Sequence, residues 1–173
     1  MRQLACRAAA VLVAAAALAG CGIGDTGARP AGPPARGGLS EAGSRLLRVY
    51  FVTPQGTWPV SRPAPAGDRL QPAVDALLAG PTAAERARGL VTQVPAAPGP
   101  IRATTARGRV ELRVPWLVSD LPPAAVSQLV CTAAAAMGDG TIVNVLEPVA
   151  AGVPWPVKCD ENGTAVPARQ GAS

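Results

Sequence analysis

Between residues 46 and 147, the apolar positions recur with a period of two in some segments and with a helical period in others. The clearest alternation lies at residues 109–116, where the even-numbered residues are apolar and Glu111 and Arg113 face the other side. Successive strand residues point to opposite faces of a sheet, so this pattern predicts a strand with one buried face. The predicted strands are Leu46–Thr53, Trp58–Arg62, Ile101–Thr105, Arg109–Trp116 and Thr141–Glu147.

Short turns are expected to join these strands into two hairpins. Residues 54–56 (Pro-Gln-Gly) separate the first two strands, and Arg107-Gly108 separates the next two. The segment Leu46–Thr53 is apolar on both faces, which is typical of a central strand. Residues 90–95 are compatible with either a short strand or an irregular link.

Three segments carry helix signals. Each of the first two helices has a capping-box pattern at its start, Asp68 with Gln71 and Thr82 with Glu85, because a short polar side chain precedes Gln or Glu by three residues. Gly80-Pro81 and Gly89 are the expected helix ends, and the third helix runs from Pro122-Pro123 to Met137. The predicted core positions are Leu70, Ala73, Val74, Leu77 and Leu78 in the first helix, and Val126, Leu129, Val130, Ala133 and Met137 in the third.

This order of elements predicts an α/β fold: one small domain with a mixed β-sheet and helices packed on one side. Its expected bounds are 46–159. Residues 160–173 are small and polar and are interpreted as a flexible C-terminal tail, and residues 21–45, rich in Gly and Pro, as a disordered tether.

The first 21 residues resemble a bacterial lipoprotein signal. Arg2 and Arg7 precede an apolar run, Ala8–Ala19, of 12 residues, which is shorter than the roughly 20 that span a bilayer. The run ends in Leu18-Ala19-Gly20-Cys21, which resembles a lipobox with Cys21 as the acylated residue. We therefore expect residues 1–20 to be a signal peptide and the mature chain to be held to the extracytoplasmic face of the cell membrane by acyl chains. The alternative is an ordinary signal peptide that ends near a cysteine.

The predicted location changes how the net charge and the cysteines of the mature chain are interpreted. The formal net charge is +5, and it falls to +3 without Arg2 and Arg7, with 14 basic against 11 acidic residues. We therefore expect no nucleic-acid partner. Cys131 and Cys159 remain in an oxidising compartment, which favours a disulfide between them over two free buried thiols.

The chemistry-bearing residues do not form a catalytic pattern, and we predict that the protein is not an enzyme and holds no metal or cofactor. The chain has no histidine, which excludes His-based triads and His zinc sites. A Ser–Lys dyad would have to use Lys158 with one of three serines, and the carboxylates available for glycan hydrolysis are scattered. These candidates are Ser61, Ser119 and Ser127, and Asp68, Asp75, Glu85, Glu111 and Asp120.

Four stretches of the predicted domain resemble the GerMN domain, an extracytoplasmic module named for spore-germination and sporulation proteins. The stretches are LRVYFV, AVDALLAGPTAAERARGLVTQVP, GRVELRV and QLVCTAAAA, of which the second is the most specific. Together with the lipobox and the tether, they resemble GerMN lipoproteins of high-GC Gram-positive bacteria. The chain departs from the family at Cys131, where an aromatic residue is expected. The resemblance implies a cell-envelope role without an established catalytic constellation.

One set of charges is a candidate for a partner, namely Arg102, Arg107, Arg109 and Arg113 on the predicted second hairpin. It fits anionic lipid head groups, a teichoic-type polymer or an acidic protein face. The alternative is a solvated strand face partly neutralised by Glu111. We therefore predict a lipid-anchored, non-catalytic binding or scaffold module that contacts an envelope protein or wall polymer. Two alternatives remain open: a small-solute-binding lipoprotein with a pocket lined by Trp58, Trp116 or Trp155, and a cryptic peptidoglycan hydrolase.

Overall fold

The computed structural model describes residues 46–148 and 153–168. The predicted signal peptide, Cys21 and the tether therefore lie outside the described residues, as do residues 169–173 of the predicted tail. The described part is a small α/β domain with a mixed β-sheet whose helices pack on one side.

The first hairpin forms a two-stranded sheet of its own. Strands β1 (Leu46–Thr53) and β2 (Gly56–Pro63) pair antiparallel, with Leu46 opposite Pro63 and Thr53 opposite Gly56. The predicted pairing is confirmed, but the prediction that β1 is a central strand is wrong. Among the described residues its second edge makes one bridge, between Val52 and Val91, and a helix packs across the rest of that edge. The other residues of the segment 90–95 form an irregular link.

Two short helices follow, α1 (Leu70–Leu78) and α2 (Ala83–Ala87). The predicted core face of α1 is confirmed except at Leu78, which is 38% exposed because it lies at the edge of the buried stripe. The capping box at Thr82 and Glu85 is also confirmed. The box predicted at Asp68 is wrong. Asp68 accepts a hydrogen bond from the N–H of Leu70, but Gln71 reaches a neighbouring strand instead of turning back.

The second hairpin belongs to a five-stranded sheet. Its strands follow the order β3–β4–β5–β6–β7, in which only β4 and β5 are parallel. Helix α3 (Pro123–Met137) connects these two parallel strands, as such a crossover requires. The strands are β3 (Arg102–Ala106), β4 (Arg109–Arg113), β5 (Ile142–Leu146), β6 (Trp155–Cys159) and β7 (Ala165–Pro167).

Helix α3 occupies the centre of the domain and contacts both sheets. Eleven of its residues are buried, which is why its apolar face is broader than the predicted stripe. The prediction that Met137 belongs to the core is wrong. Met137 is 46% exposed because it is the last residue of the helix, where the chain turns away at Gly138. The core lies between α1, α3 and the inward side chains of the strands, including Phe51, Val110 and Val143.

Side chains from the helices close several strand edges. On the second edge of β1, the N–H of Tyr50 donates to Oγ1 of Thr132 at 3.0 Å, and Nε2 of Gln128 donates to the carbonyl of Tyr50 at 3.0 Å. On the outer edge of β3, Gln71 accepts from the N–H of Ala103 and donates to the carbonyl of Ile101. Backbone groups that would otherwise be unpaired are therefore satisfied by side chains.

Strand β7 corrects the predicted domain boundary. The tail was expected to start at residue 160, yet residues 160–164 form a turn and β7 pairs with β6. Polar and backbone contacts hold this turn, since Oδ1 of Asp160 accepts hydrogen bonds from the N–H groups of Asn162 and Thr164. The turn therefore leaves no pattern of apolar residues in the sequence. The folded domain therefore extends to at least residue 167.

Candidate functional site

A disulfide joins Cys131 of α3 to Cys159 at the end of β6, as the sequence predicts. The two Cα atoms are 4.9 Å apart. Cys131 is fully buried and Cys159 is partly exposed. The bond ties the central helix to the five-stranded sheet and is a structural link.

The four predicted arginines lie together on the second hairpin and are all exposed; we call them the arginine surface. Arg102 and Arg113 are direct cross-strand partners, while Arg109 lies opposite Ala106. Arg107 occupies the tight turn with a positive φ of 50°. This surface lies on the side of the sheet opposite the helices, since Val110 and Leu112 point inward and are buried.

The arginine surface is not neutralised by ion pairs within the described residues. The two ion pairs found in this part of the chain are Arg48–Asp139 and Arg62–Glu85. Lys158 adds a further positive charge on the same side of the sheet, because its partner Ile142 points the same way as Asn144 and Glu111. Glu111 is the acidic residue on that side of the strands. The helix-free side of the sheet is thus strongly basic.

The segment Gly80-Pro81-Thr82 is held by a buried ion pair. Nη2 of Arg62 lies 2.6 Å from Oε2 of Glu85, and the same guanidinium donates to the carbonyls of Ala76 and Gly80. Arg62 also stacks on Phe51, with the guanidinium carbon 5.1 Å from the ring centroid. The segment that carries most of the family resemblance is therefore explained by packing and capping.

The charge state of Glu85 follows from these contacts. Burial alone would raise the pKa of its carboxyl group. The hydrogen bond from the backbone N–H of Thr82 and the guanidinium of Arg62 outweigh burial and hold this pKa below its ordinary value. Glu85 is therefore a buried, charged structural residue.

The tryptophans lie in three different environments. Trp58 is 60% exposed on β2, and Trp116 packs partly buried against the core. Trp155 is 38% exposed and lines a cavity of about 540 Å³ together with Val118, Leu121 and Glu147. Trp155 is thus the predicted pocket tryptophan that lines this cavity.

Ser127 and Lys158, two of the catalytic candidates, are not brought together. Oγ of Ser127 donates to the carbonyl of Pro123 and accepts from the N–H of Ala165. Lys158 lies on the opposite side of the sheet, so the two residues do not form a dyad. Asp75 accepts a hydrogen bond from Gln71. Residues 46–148 and 153–168 contain no cluster of three or more metal-ligating residues.

No helix in the described part of the chain is both long enough and apolar enough to cross a membrane. No protein-family model, no curated protein and no solved structure matches this chain.

Sequence reasoning missed Glu147 as a possible functional residue. Glu147 directly follows β5, and Val118 lies in the connection after β4. A signal was available, since ligands often bind at the carboxyl ends of parallel strands. Recognising it requires knowing that β4 and β5 are the parallel pair.

Proposed function

We propose that the protein is a lipid-anchored, non-catalytic binding module on the extracytoplasmic face of the cell membrane, and that its arginine surface contacts an anionic wall polymer or an acidic envelope protein. The observation that carries this proposal is the Arg102–Arg113 cross-strand pair. Like charges directly opposite one another destabilise a sheet. Anionic groups of a partner would relieve this repulsion, so the pair favours a binding role.

The anchoring half of the proposal rests on the sequence. Cys21 in its lipobox would carry the acyl chains, and residues 22–45 would separate the domain from the membrane. The GerMN resemblance supports the same location, and all four stretches that carry it lie within residues 46–148 of the described domain. Cells fed an alkynyl fatty acid should label the wild-type protein, whereas Cys21→Ser should abolish the label and release the protein from membranes.

The arginine surface is tested by charge reversal in the full chain purified in detergent. The double variant Arg102→Glu/Arg113→Glu should bind purified cell wall at least about tenfold more weakly, because attraction becomes repulsion. Arg88→Glu is the matched control, since Arg88 is exposed at the end of α2, outside the arginine surface. Wild-type binding should also fall as the salt concentration rises.

Two further arms identify the partner. Walls from which acid has extracted the anionic polymers should bind less if the polymer is the partner. Capture of a protein from crosslinked membranes that depends on Arg102 and Arg113 would indicate an acidic protein instead. Equal binding by the double variant and the wild type in both assays would contradict the proposal.

A second candidate function is binding of a small solute, and the observation that favours it is the Trp155 cavity. Its volume of about 540 Å³ lies within the range of small-molecule sites. This function is compatible with the same anchor and uses a different part of the domain.

A further inference from the structure

The Trp155 cavity lies where the two parallel strands end. It is bounded by the 3-10 turn at Val118–Asp120, the start of α3, and the first residues of β6 and β7. Val118, Leu121 and Val126 supply apolar walls, and the indole of Trp155 supplies an aromatic surface that remains partly exposed. The cavity therefore offers an apolar lining that water can reach.

One charged side chain, Glu147, lines this cavity among the described residues. Its Oε1 accepts a hydrogen bond from the backbone N–H of Val118 at 2.7 Å, which holds the carboxylate in place. Glu147 belongs to neither of the two ion pairs in the described part of the chain. Glu147 also lines the adjoining cavity, where Arg113 is a second lining residue, but Arg113 does not line the Trp155 cavity. The described wall of the Trp155 cavity thus carries one negative charge, that of Glu147.

Three other polar side chains line the Trp155 cavity, namely Ser119, Ser127 and Thr164. Glu147 is the group among them that can select a ligand by its charge. The hydroxyl of Ser127 is already used inside the protein, since it bonds to Pro123 and Ala165. Ser119 and Thr164 are exposed at the opening. A ligand that enters the apolar part therefore meets an indole and an anionic oxygen.

We propose that this cavity binds a ligand that carries a positively charged ammonium group on an apolar body. An indole face and a carboxylate both attract a cation, and aromatic surfaces are the usual recognition site of alkylated ammonium groups. The apolar walls bury the carbon atoms of the ligand, while an anionic ligand would be repelled by Glu147. None of the residues that line this cavity belongs to the arginine surface. The proposal for the cavity and the proposal for the arginine surface can therefore be refuted independently.

The decisive measurement compares a cation with its neutral isostere in the full wild-type chain in detergent. Incorporation of 5-fluorotryptophan gives fluorine NMR signals for Trp58, Trp116 and Trp155 in one spectrum. Choline should shift the Trp155 signal saturably, whereas 3,3-dimethylbutan-1-ol, which replaces the ammonium nitrogen by carbon, should not. Trp58, which is exposed on β2, is the internal control and should not shift. The Trp155→Phe variant assigns the signal.

A second arm distinguishes the possible sources of the ammonium group. A shift with choline alone supports a small quaternary ligand, and a shift with the amide of Nα-acetyl-lysine supports a lysine side chain of a peptide. Glu147→Gln should weaken binding about tenfold or more, because its amide oxygen can still accept from Val118 but its charge is lost. Glu111→Gln, on the other side of the sheet, should leave binding unchanged.

The proposal is overturned if the neutral isostere shifts Trp155 as strongly as choline does. It is equally overturned if neither cation shifts Trp155 at concentrations on the order of 100 mM, the weak end of fragment binding. Both outcomes are read in the wild-type protein, and a variant is used only to assign the Trp155 signal. Unchanged choline affinity in a folded Glu147→Gln protein would also contradict it.

Discussion

At the scale of single residues, Gly163 has the least room for a side chain among the glycines of the described residues. It lies in the turn that leads into β7, with a φ of +75°, and its backbone packs against the first hairpin. A Cβ atom placed there would lie 2.4 Å from Oγ1 of Thr57 and 3.3 Å from the ring of Tyr50. Backbone conformation and space therefore both require glycine.

Gly163→Ala should lower the free energy of unfolding by about 2–4 kcal/mol, the sum of left-handed backbone strain and overpacking. Gly108→Ala is the matched control, since Gly108 has a φ of +74° but nothing within 4 Å of the added Cβ. It should cost only about 1–2 kcal/mol. Urea denaturation of both variants measures the difference, and equal losses would mean that the packing against Thr57 contributes nothing.

Glu85 makes the stability of the domain depend on pH. Its pKa is lowered in the folded state, so its stabilising contribution is present above the unfolded-state pKa of a glutamate, roughly 4.3, and is lost as the pH falls through the folded pKa. Glu85→Gln should cost about 1–3 kcal/mol at pH 7, because Arg62 loses its charged partner but keeps its hydrogen bonds to the carbonyls of Ala76 and Gly80. The difference from wild type should narrow at pH 3.

Chemical denaturation at both pH values tests this dependence. Asp139→Asn is the control, because the Arg48–Asp139 pair is exposed and should contribute less than about 1 kcal/mol at either pH. A Glu85→Gln deficit of the same size at pH 3 and pH 7 would be inconsistent with a charged Glu85 in the folded protein.

At the scale of elements, side chains of α3 make the hydrogen bonds to the free edge of β1 that a neighbouring strand would otherwise make. Gln128 and Thr132 are one helical turn apart and fully buried, and they bond the carbonyl and the N–H of Tyr50. Oε1 of Gln128 also accepts from the N–H of Gln93 at 2.8 Å. Two polar residues in the core therefore replace the ladder that β1 lacks on this edge.

Thr132→Val keeps the shape of the side chain but leaves the N–H of Tyr50 unpaired, so it should cost about 1–3 kcal/mol. Gln128→Leu leaves two backbone groups unpaired and should cost more, about 2–5 kcal/mol. Thr104→Val, at an exposed position of β3, should change stability by less than about 0.5 kcal/mol. Thermal unfolding of the three variants ranks their losses of stability. A Gln128→Leu variant as stable as the wild type would contradict the role given to Gln128 at the edge of β1.

The elements that sequence reasoning predicted correctly are those with a local signal. The alternation in β4, the stripe in α1 and the capping box at Thr82 each depend on neighbours within a few residues. The errors at β1 and β7 have non-local causes. The edge of β1 is closed by a helix some 80 residues away, and β7 is held by Asp160 and by pairing with β6, which hydrophobic periodicity does not register.

Of the two candidate sites, the sequence predicts the arginine surface but not the full Trp155 cavity, because only the arginine surface has a local sequence pattern. The arginine surface follows from the alternation of one hairpin, so its four residues could be grouped from the sequence. The cavity at Trp155 combines residues from the connection after β4, the start of α3, the end of β5 and the start of β6. Trp155 was proposed as a pocket residue from its side chain alone, but its partner Glu147 depends on the parallel pairing of β4 and β5.

At the scale of the whole molecule, the Cys131–Cys159 disulfide constrains the unfolded chain. It closes a loop with a sequence separation of 28 residues. In the chain-entropy model, such a loop stabilises the folded state by about 3–4 kcal/mol. The domain is therefore expected to depend on an oxidising compartment for part of its stability.

The double variant Cys131→Ala/Cys159→Ala should lose about 3–4 kcal/mol of unfolding free energy. Wild-type protein treated with a reductant should approach the stability of the double variant, whereas the double variant should not respond to the reductant. A double variant as stable as oxidised wild type would mean that the bond contributes no net stabilisation.

Both outer edges of the five-stranded sheet are partly occupied by side chains. On β3, Gln71 occupies the N–H of Ala103 and the carbonyl of Ile101. On β7, the N–H of Ala165 donates to Ser127, and Pro167 has no N–H to offer. An edge with fewer free donors is a poorer template for another chain. These contacts should therefore disfavour strand addition to the five-stranded sheet, and Gln71→Ala, which frees two backbone groups of β3, should favour it.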